Sequence, residues 1–162
     1  MRNKRGERIK NGGTINKNET MEPDTYYIHR CEIIGKAAAK KGNSAVGAII
    51  VKDDVIISQA EEAGKSKNDI TCHAEIEAIR TALRKLTTSD LSGCILYTTH
   101  EPCIMCSYAI RFYKIKKVVF KNAVDYLGGV TSSMPLLVSE DVPPHWSGPP
   151  EIVHMQSDND EK

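Results

Sequence analysis

The sequence predicts an α/β fold, a three-layer α/β/α sandwich with a central mixed sheet of about five strands. Two observations carry this expectation. Segments with apolar side chains every three or four positions alternate with short β-branched runs, the order of a sheet covered by helices. The chain has 162 residues, 40% of them hydrophobic, which suffices for one core and is short for two.

The elements follow in order. Tyr27, Cys31, Ile34 and Ala38 recur at intervals of three and four, with Asp24 and Thr25 available as caps and Gly42 as the stop, so a helix is expected over 24–41. Val46 to Val51 and Val55 to Ser58 are β-branched runs separated by Lys52-Asp53-Asp54, a hairpin pattern. A second helix is expected from about His73, where Ile76, Ile79, Leu83 and Leu86 form one apolar stripe. Cys94 to Thr98 reads as a buried strand, Cys103 to Tyr113 as a helix and Lys117 to Phe120 as a further strand. Beyond Gly128 five prolines (Pro135, Pro143, Pro144, Pro149 and Pro150) break the chain into turns, and Glu151 to His154 reads as a short edge strand. There is no internal repeat, and Gly128-Gly129 lacks the spacing of a phosphate-binding glycine motif.

Residues 1–22 are rich in Asn, Gly, Lys and Arg and nearly devoid of apolar side chains, so they cannot offset the entropy of ordering and a disordered basic tail is expected. A single domain is expected over 23–156, with a frayed acidic end at 157–162. The formal net charge of +1 gives no global electrostatic footprint for nucleic acid or an anionic membrane. No apolar run approaches the ~20 residues needed to cross a bilayer. Five cysteines, an odd number with two at metal spacing, and no apolar signal segment ahead of the domain lead us to expect a reducing, cytoplasmic setting.

The chemistry is concentrated in two short motifs, His73-Ala74-Glu75 and Glu101-Pro102-Cys103-Ile104-Met105-Cys106. One imidazole and two thiols make three zinc-type ligands, and three protein ligands leave the fourth tetrahedral position to water, as in catalytic zinc sites. Both motifs fall at expected helix N-termini, where free backbone N–H groups and the helix dipole favour anionic groups. Cys103 and Cys106, three residues apart, project from the same helix face, and Pro102 suits a first helical turn. Glu75 remains outside the ligand set and can move protons in the same cavity. A structural zinc site would need a fourth protein donor, for which Cys72 is a candidate. Adjacent to His73, it would strain the backbone to reach the same ion.

These spacings are the H-x-E and P-C-x-x-C signature of zinc nucleobase deaminases. The chain resembles the cytidine deaminase superfamily. Its stretches Asp69 to Arg80 and Leu96 to Cys106 are more similar to the bacterial guanine deaminase and tRNA adenosine deaminase branch, and the resemblance runs from about Tyr26 to about Gly129. It implies one Zn2+ per chain on His73, Cys103 and Cys106, Glu75 as proton shuttle, the backbone N–H of Ala74 as contact for the oxygen of the tetrahedral intermediate, and a homodimer. Its implied reaction is the hydrolytic loss of ammonia from an amino heterocycle, with a guanine-like purine base or nucleoside favoured. The alternatives are adenosine in a tRNA anticodon loop, a cytosine or cytidine substrate, and a catalytically dead, zinc-stabilised binding module.

Three further residues are expected to bind substrate. In purine-acting relatives an asparagine seven residues before the Asp of this motif contacts the base; here that place holds Glu62, or Glu61 if the alignment shifts by one. A carboxylate offers only acceptors and favours an edge rich in N–H groups. His100 could line the pocket or pack, and Phe112 could stack on a base or serve packing or a partner subunit. Glu101 is expected to fix its loop through hydrogen bonds. Asp125-Tyr126-Leu127-Gly128-Gly129 replaces the lysine-containing loop of the tRNA-acting relatives, which weighs against an anticodon-loop substrate. Trp146 could fold over a pocket or pack on the surface.

Overall fold

The computed structural model describes residues 21–156. The expectations for the basic segment up to residue 20 and for the acidic end therefore lie outside the described residues. Nine elements follow one another: α1 (Pro23–Lys40), β1 (Gly47–Lys52), β2 (Val55–Glu61), α2 (Gly64–Lys67), α3 (Ala74–Leu86), β3 (Cys94–His100), α4 (Ile104–Phe112), β4 (Lys117–Asn122) and β5 (Glu151–His154).

The strands form one five-stranded mixed sheet in the order β2-β1-β3-β4-β5. Asp53 and Asp54 both adopt positive φ, 49° and 60°, the backbone twist that two-residue hairpins prefer, and they close the antiparallel β1–β2 pair. β1 also pairs antiparallel with β3, Ile50 facing Leu96, whereas β3–β4 and β4–β5 are parallel. Parallel pairing requires a crossover, and α4 supplies it between β3 and β4.

Alternation along β1 divides the core. Ala48 and Ile50 face a cluster with Ala74, Ala78, Ile79 and Ala82 of α3, Ile110 of α4, and Leu96, Val118 and Phe120. Ile49 and Val51 face the opposite cluster with Tyr27, Ile28 and Cys31 of α1, Tyr97 and Val119. The sheet is thus buried on both sides, which is the expected three-layer sandwich, and explains why its central strands read as continuous apolar runs.

Between β4 and β5 the chain packs against α4 without a further helix or strand. Arg111, 1% exposed, donates Nη1 to the carbonyls of Leu136, Leu137 and Ser139 and Nη2 to that of Ser147. Its guanidinium also lies over the Trp146 ring, which meets Tyr108 edge-on at 5.0 Å. Trp146 is therefore packed on α4. Among the described residues, no helix is long and apolar enough to cross a membrane.

Candidate active site

The N-termini of α3 and α4 converge beside the carboxyl end of β3. His73 is the N-cap residue of α3, Cys103 that of α4, and Cys106 lies one turn into α4. Pro102 precedes the cap instead of occupying the first turn; its carbonyl accepts Gly129 N–H at 2.8 Å and so ties the loop after β4 to the site. His73 Nδ1 stands 3.5 Å from Cys103 Sγ and 3.6 Å from Cys106 Sγ, and the three donor atoms lie within 4.8 Å of one another.

The electrostatics suit a cation. The Cys106 hydrogen bond, opposed by burial and reinforced by His73, holds the Cys103 thiol down at about 4. Reciprocally, the Cys103 hydrogen bond pushes His73 up to about 9, while Cys103 and burial raise Cys106. Soft sulfur with imidazole nitrogen is the donor set zinc prefers, and zinc would replace the proton this cluster shares. Cys72 does not join the group; burial and the neighbouring Asp69 carboxylate raise its thiol. One imidazole and two thiols with their donor atoms drawn together, and no fourth protein donor in the group among the described residues, fit a zinc ion.

Glu75, in the first turn of α3, is buried at 4% exposure. Its Oε1 accepts a 2.9 Å hydrogen bond from Thr98 Oγ1 on β3, and its Oε2 lies 3.6 Å from Cys106 Sγ. Burial pushes its carboxyl group upward. Thr98 is a partner the sequence did not reveal, because a threonine inside a strand reads as an ordinary β-former.

His73, Glu75 and Cys103 line a cavity of about 840 Å³, whose wall also includes Ala45, Val46, Glu62, Lys65, Ile70, His100, Glu101 and Val124. That volume lies within the ~300–1,000 Å³ usual for small-molecule sites. Glu62 and His100 therefore stand in the cavity wall; burial lowers His100, whose Nδ1 lies 3.0 Å from Thr99 Oγ1. Glu61 is half-buried and paired with Lys41, so of the two acidic residues it is Glu62 that reaches the cavity. Phe112 corrects the sequence reading. It stands six residues beyond Cys106, roughly 9 Å along the helix axis, stacks on Tyr108 at a centroid distance of 6.0 Å and lines a separate groove between α3 and α4.

Glu101 does fix a loop. Its carboxylate, 2% exposed, accepts the backbone N–H groups of Val124, Val130 and Thr131 at 2.9, 2.8 and 2.7 Å and the Thr131 hydroxyl at 2.7 Å. Burial opposes ionisation, but these donors bring the group below the usual carboxylate range. Val124, at the start of this loop, forms part of the cavity wall.

The family model described as cytidine and deoxycytidylate deaminase zinc-binding region matches residues 21–122. A tRNA-specific adenosine deaminase of Aquifex aeolicus is 49% identical over 102 residues, 63% of this chain and 68% of that protein. A guanine deaminase of Bacillus subtilis is 46% identical over 74 residues, covering 46% and 47%. A solved structure from studies of A-to-I editing by tRNA:A34 deaminases superposes with a TM-score of 0.74 and 28% identity, covering 83% of this chain and 100% of the other.

Proposed function

Since the chain belongs to the cytidine and deoxycytidylate deaminase family, a family of zinc-dependent hydrolytic deaminases, we propose that it removes the exocyclic amine of a purine-type base. The observation that carries this reading is a buried, hydrogen-bonded carboxylate, Glu75, set beside the His73, Cys103 and Cys106 donor group at a cavity with room for a base.

His73, Cys103 and Cys106 would hold the zinc, and zinc when bound makes hydroxide available near neutral pH. The residues of the chain do the rest. Thr98 orients Glu75 through Oε1, and Oε2 lies beside the metal donors, 3.6 Å from Cys106 Sγ. Glu75 takes one proton from water as oxygen adds to the carbon bearing the amine, and delivers it to the neighbouring ring nitrogen. A second proton passes through the same carboxyl group to the departing nitrogen, so that water and the amine become a ring carbonyl and ammonia. We assign to the Ala74 N–H, at the N-terminus of α3, the oxygen that becomes anionic; in the structure this donor meets Glu62 Oε2 at 3.3 Å.

Two members of the purine class fit. Adenosine within a tRNA anticodon loop is supported by likeness to tRNA-specific adenosine deaminases and by the exposed Ile70 and Lys65 at the cavity rim, which could meet flanking nucleotides. A guanine-type free base is supported by the acidic cavity wall at Glu62. Ammonia release measured on guanine, adenine, cytosine, their nucleosides and an anticodon stem-loop tests the reading. We expect turnover of at least one purine substrate by zinc-loaded protein and none by Glu75→Gln. Full activity in Glu75→Gln, or deamination of cytosine alone, would overturn it.

A further inference from the structure

Besides Glu75, and Glu101 which is saturated by its loop, the cavity wall holds a third buried carboxylate. Glu62 follows β2 directly, is 9% exposed and faces the same cavity as Glu75. Its backbone is pinned on both sides, Glu62 N–H to the Val46 carbonyl at 2.9 Å and Ala63 N–H to the Cys72 carbonyl at 3.0 Å, so the side chain has a fixed origin. The carboxylate holds two backbone donors: Oε1 accepts Gly64 N–H at 2.9 Å, and Oε2 accepts Ala74 N–H at 3.3 Å. Glycine at position 64 lets Oε1 sit where it does, because a Cβ there would lie 2.8 Å from it. The second is long for a hydrogen bond to a charged acceptor and covers the donor that the deamination reading assigns to the developing oxyanion.

We infer that Glu62 is a specificity-determining residue that accepts a ring N–H beside the reacting carbon, exchanging Ala74 N–H for the substrate and thereby uncovering it. The inference rests on the deaminase reading of the site. An ionised carboxylate can only accept. In a 2-amino-4-oxopyrimidine ring, as in guanine or isocytosine, the carbon bearing the amine lies between a ring nitrogen that can take the Glu75 proton and a ring N–H that can donate to Glu62. In adenine and cytosine the corresponding second neighbour is a carbon, and nothing replaces Ala74 N–H. Such a substrate leaves Glu62 on the amide, and the lone pair of adenine N7 would face a negative charge. The substrate class is therefore the aminopyrimidinone ring, and discrimination arises from a partner exchange at one weakly held carboxylate oxygen.

Steady-state kinetics with zinc-loaded protein test this on guanine, isocytosine, adenine and an anticodon stem-loop, comparing wild type with Glu62→Gln. Sites built around a substrate N–H reject analogues lacking it by about 10⁴-fold, so wild type should favour guanine or isocytosine over adenine to that order. Glu62→Gln, which keeps an acceptor for Gly64 and the shape of the side chain, should lose about 10²-fold in kcat/KM on guanine and collapse the preference. Calorimetric binding in the Glu75→Gln background supplies a readout independent of turnover: guanine should bind more tightly than adenine, and adding Glu62→Gln should remove the difference. An unchanged guanine-to-adenine ratio in either measurement, or wild-type turnover of the stem-loop with none of guanine and isocytosine, would overturn the inference while leaving the deaminase reading intact. Ammonia release from none of the purine substrates, with binding preference retained, would sink that reading instead.

Discussion

Thr98 and Glu75 meet across two elements: the Thr98 hydroxyl on β3 donates to Glu75 Oε1 on α3 at 2.9 Å, and both side chains are buried. The strand thus sets the orientation of a carboxylate 23 residues away in sequence, the one to which the proposed mechanism gives the proton transfers. Thr98→Val keeps the shape and removes the donor. We expect it to retain zinc but lose roughly 10-fold in kcat, and to cost about 1–3 kcal/mol of stability for the uncompensated carboxylate. Metal analysis, kcat on the preferred substrate and a thermal melt check this; unchanged kcat would remove Thr98 from the mechanism.

Glu101 gathers four donors from the loop that follows β4, and Gly128 leaves no room for a side chain against its carboxylate. Replacing Gly128 by Ala would force the carboxylate or the loop to move. Glu101→Ala would strand three backbone N–H groups, at a cost of about 3 kcal/mol or more. Both variants should raise KM through displacement of Val124 from the cavity wall before kcat changes, and Gly128→Ala should do so with the smaller loss in melting temperature. A melt and a KM indistinguishable from wild type would show that the loop is held otherwise.

How much of this was legible in the sequence depends on range. Helical period located α1, α3 and α4 to within one or two residues, and β-branched runs located the strands, because both signals are local. The two motifs pointed to the candidate metal donors that the fold brings together, since His73 and Cys103 cap their helices and one turn sets the spacing to Cys106. Four-residue α2 escaped notice because Gly64–Lys67 is too short and polar to show a period. Parallel pairing of β4 with β5, the Thr98–Glu75 contact and the Glu62–Ala74 contact are set by tertiary packing and leave no local pattern. Arg111, which carries no local signal, is likewise the buried anchor for four carbonyls of the proline-rich segment. Phe112 misled for the opposite reason: an aromatic near a motif can lie on the wrong stretch of the helix.

Gly64 gives a second handle on Glu62. A Cβ there would press on Glu62 Oε1, which can yield because it ends a side chain. Gly64→Ala should displace the carboxylate without removing its charge, lowering kcat/KM on an aminopyrimidinone substrate by about 10-fold while leaving zinc content unchanged. That loss corresponds to about 1.4 kcal/mol in transition-state binding. An equal loss on adenine and guanine would mean that the substitution disturbs α2 rather than recognition.

Removal of zinc should weaken the fold as well as the chemistry, because only the folded chain brings His73, Cys103 and Cys106 together. A ligand bound to the native state at 100 times its dissociation constant adds about 2.7 kcal/mol. Chelation of the purified protein should therefore lower its melting temperature, with zinc restoring it, and Cys103→Ser should melt low with or without added zinc. A melting temperature insensitive to chelator in wild type would show that the three donors do not hold a metal.

Acid stability isolates a pair far from the site. Lys121 on β4 donates to Glu32 on α1 at 2.6 Å, and this hydrogen bond, opposed by burial, lowers the Glu32 carboxyl below its ordinary value. A carboxyl lower in the folded than in the unfolded chain stabilises the fold above the unfolded value, about 4.3, and that contribution is lost as pH falls through the folded value. Glu32→Gln should therefore reduce melting temperature at pH 7 and narrow the gap to wild type as the solution is taken towards about pH 3. Because both side chains are about 30% exposed, the difference should also shrink in high salt. A gap that stays constant between pH 7 and the acid end would mean that Lys121 contributes packing alone.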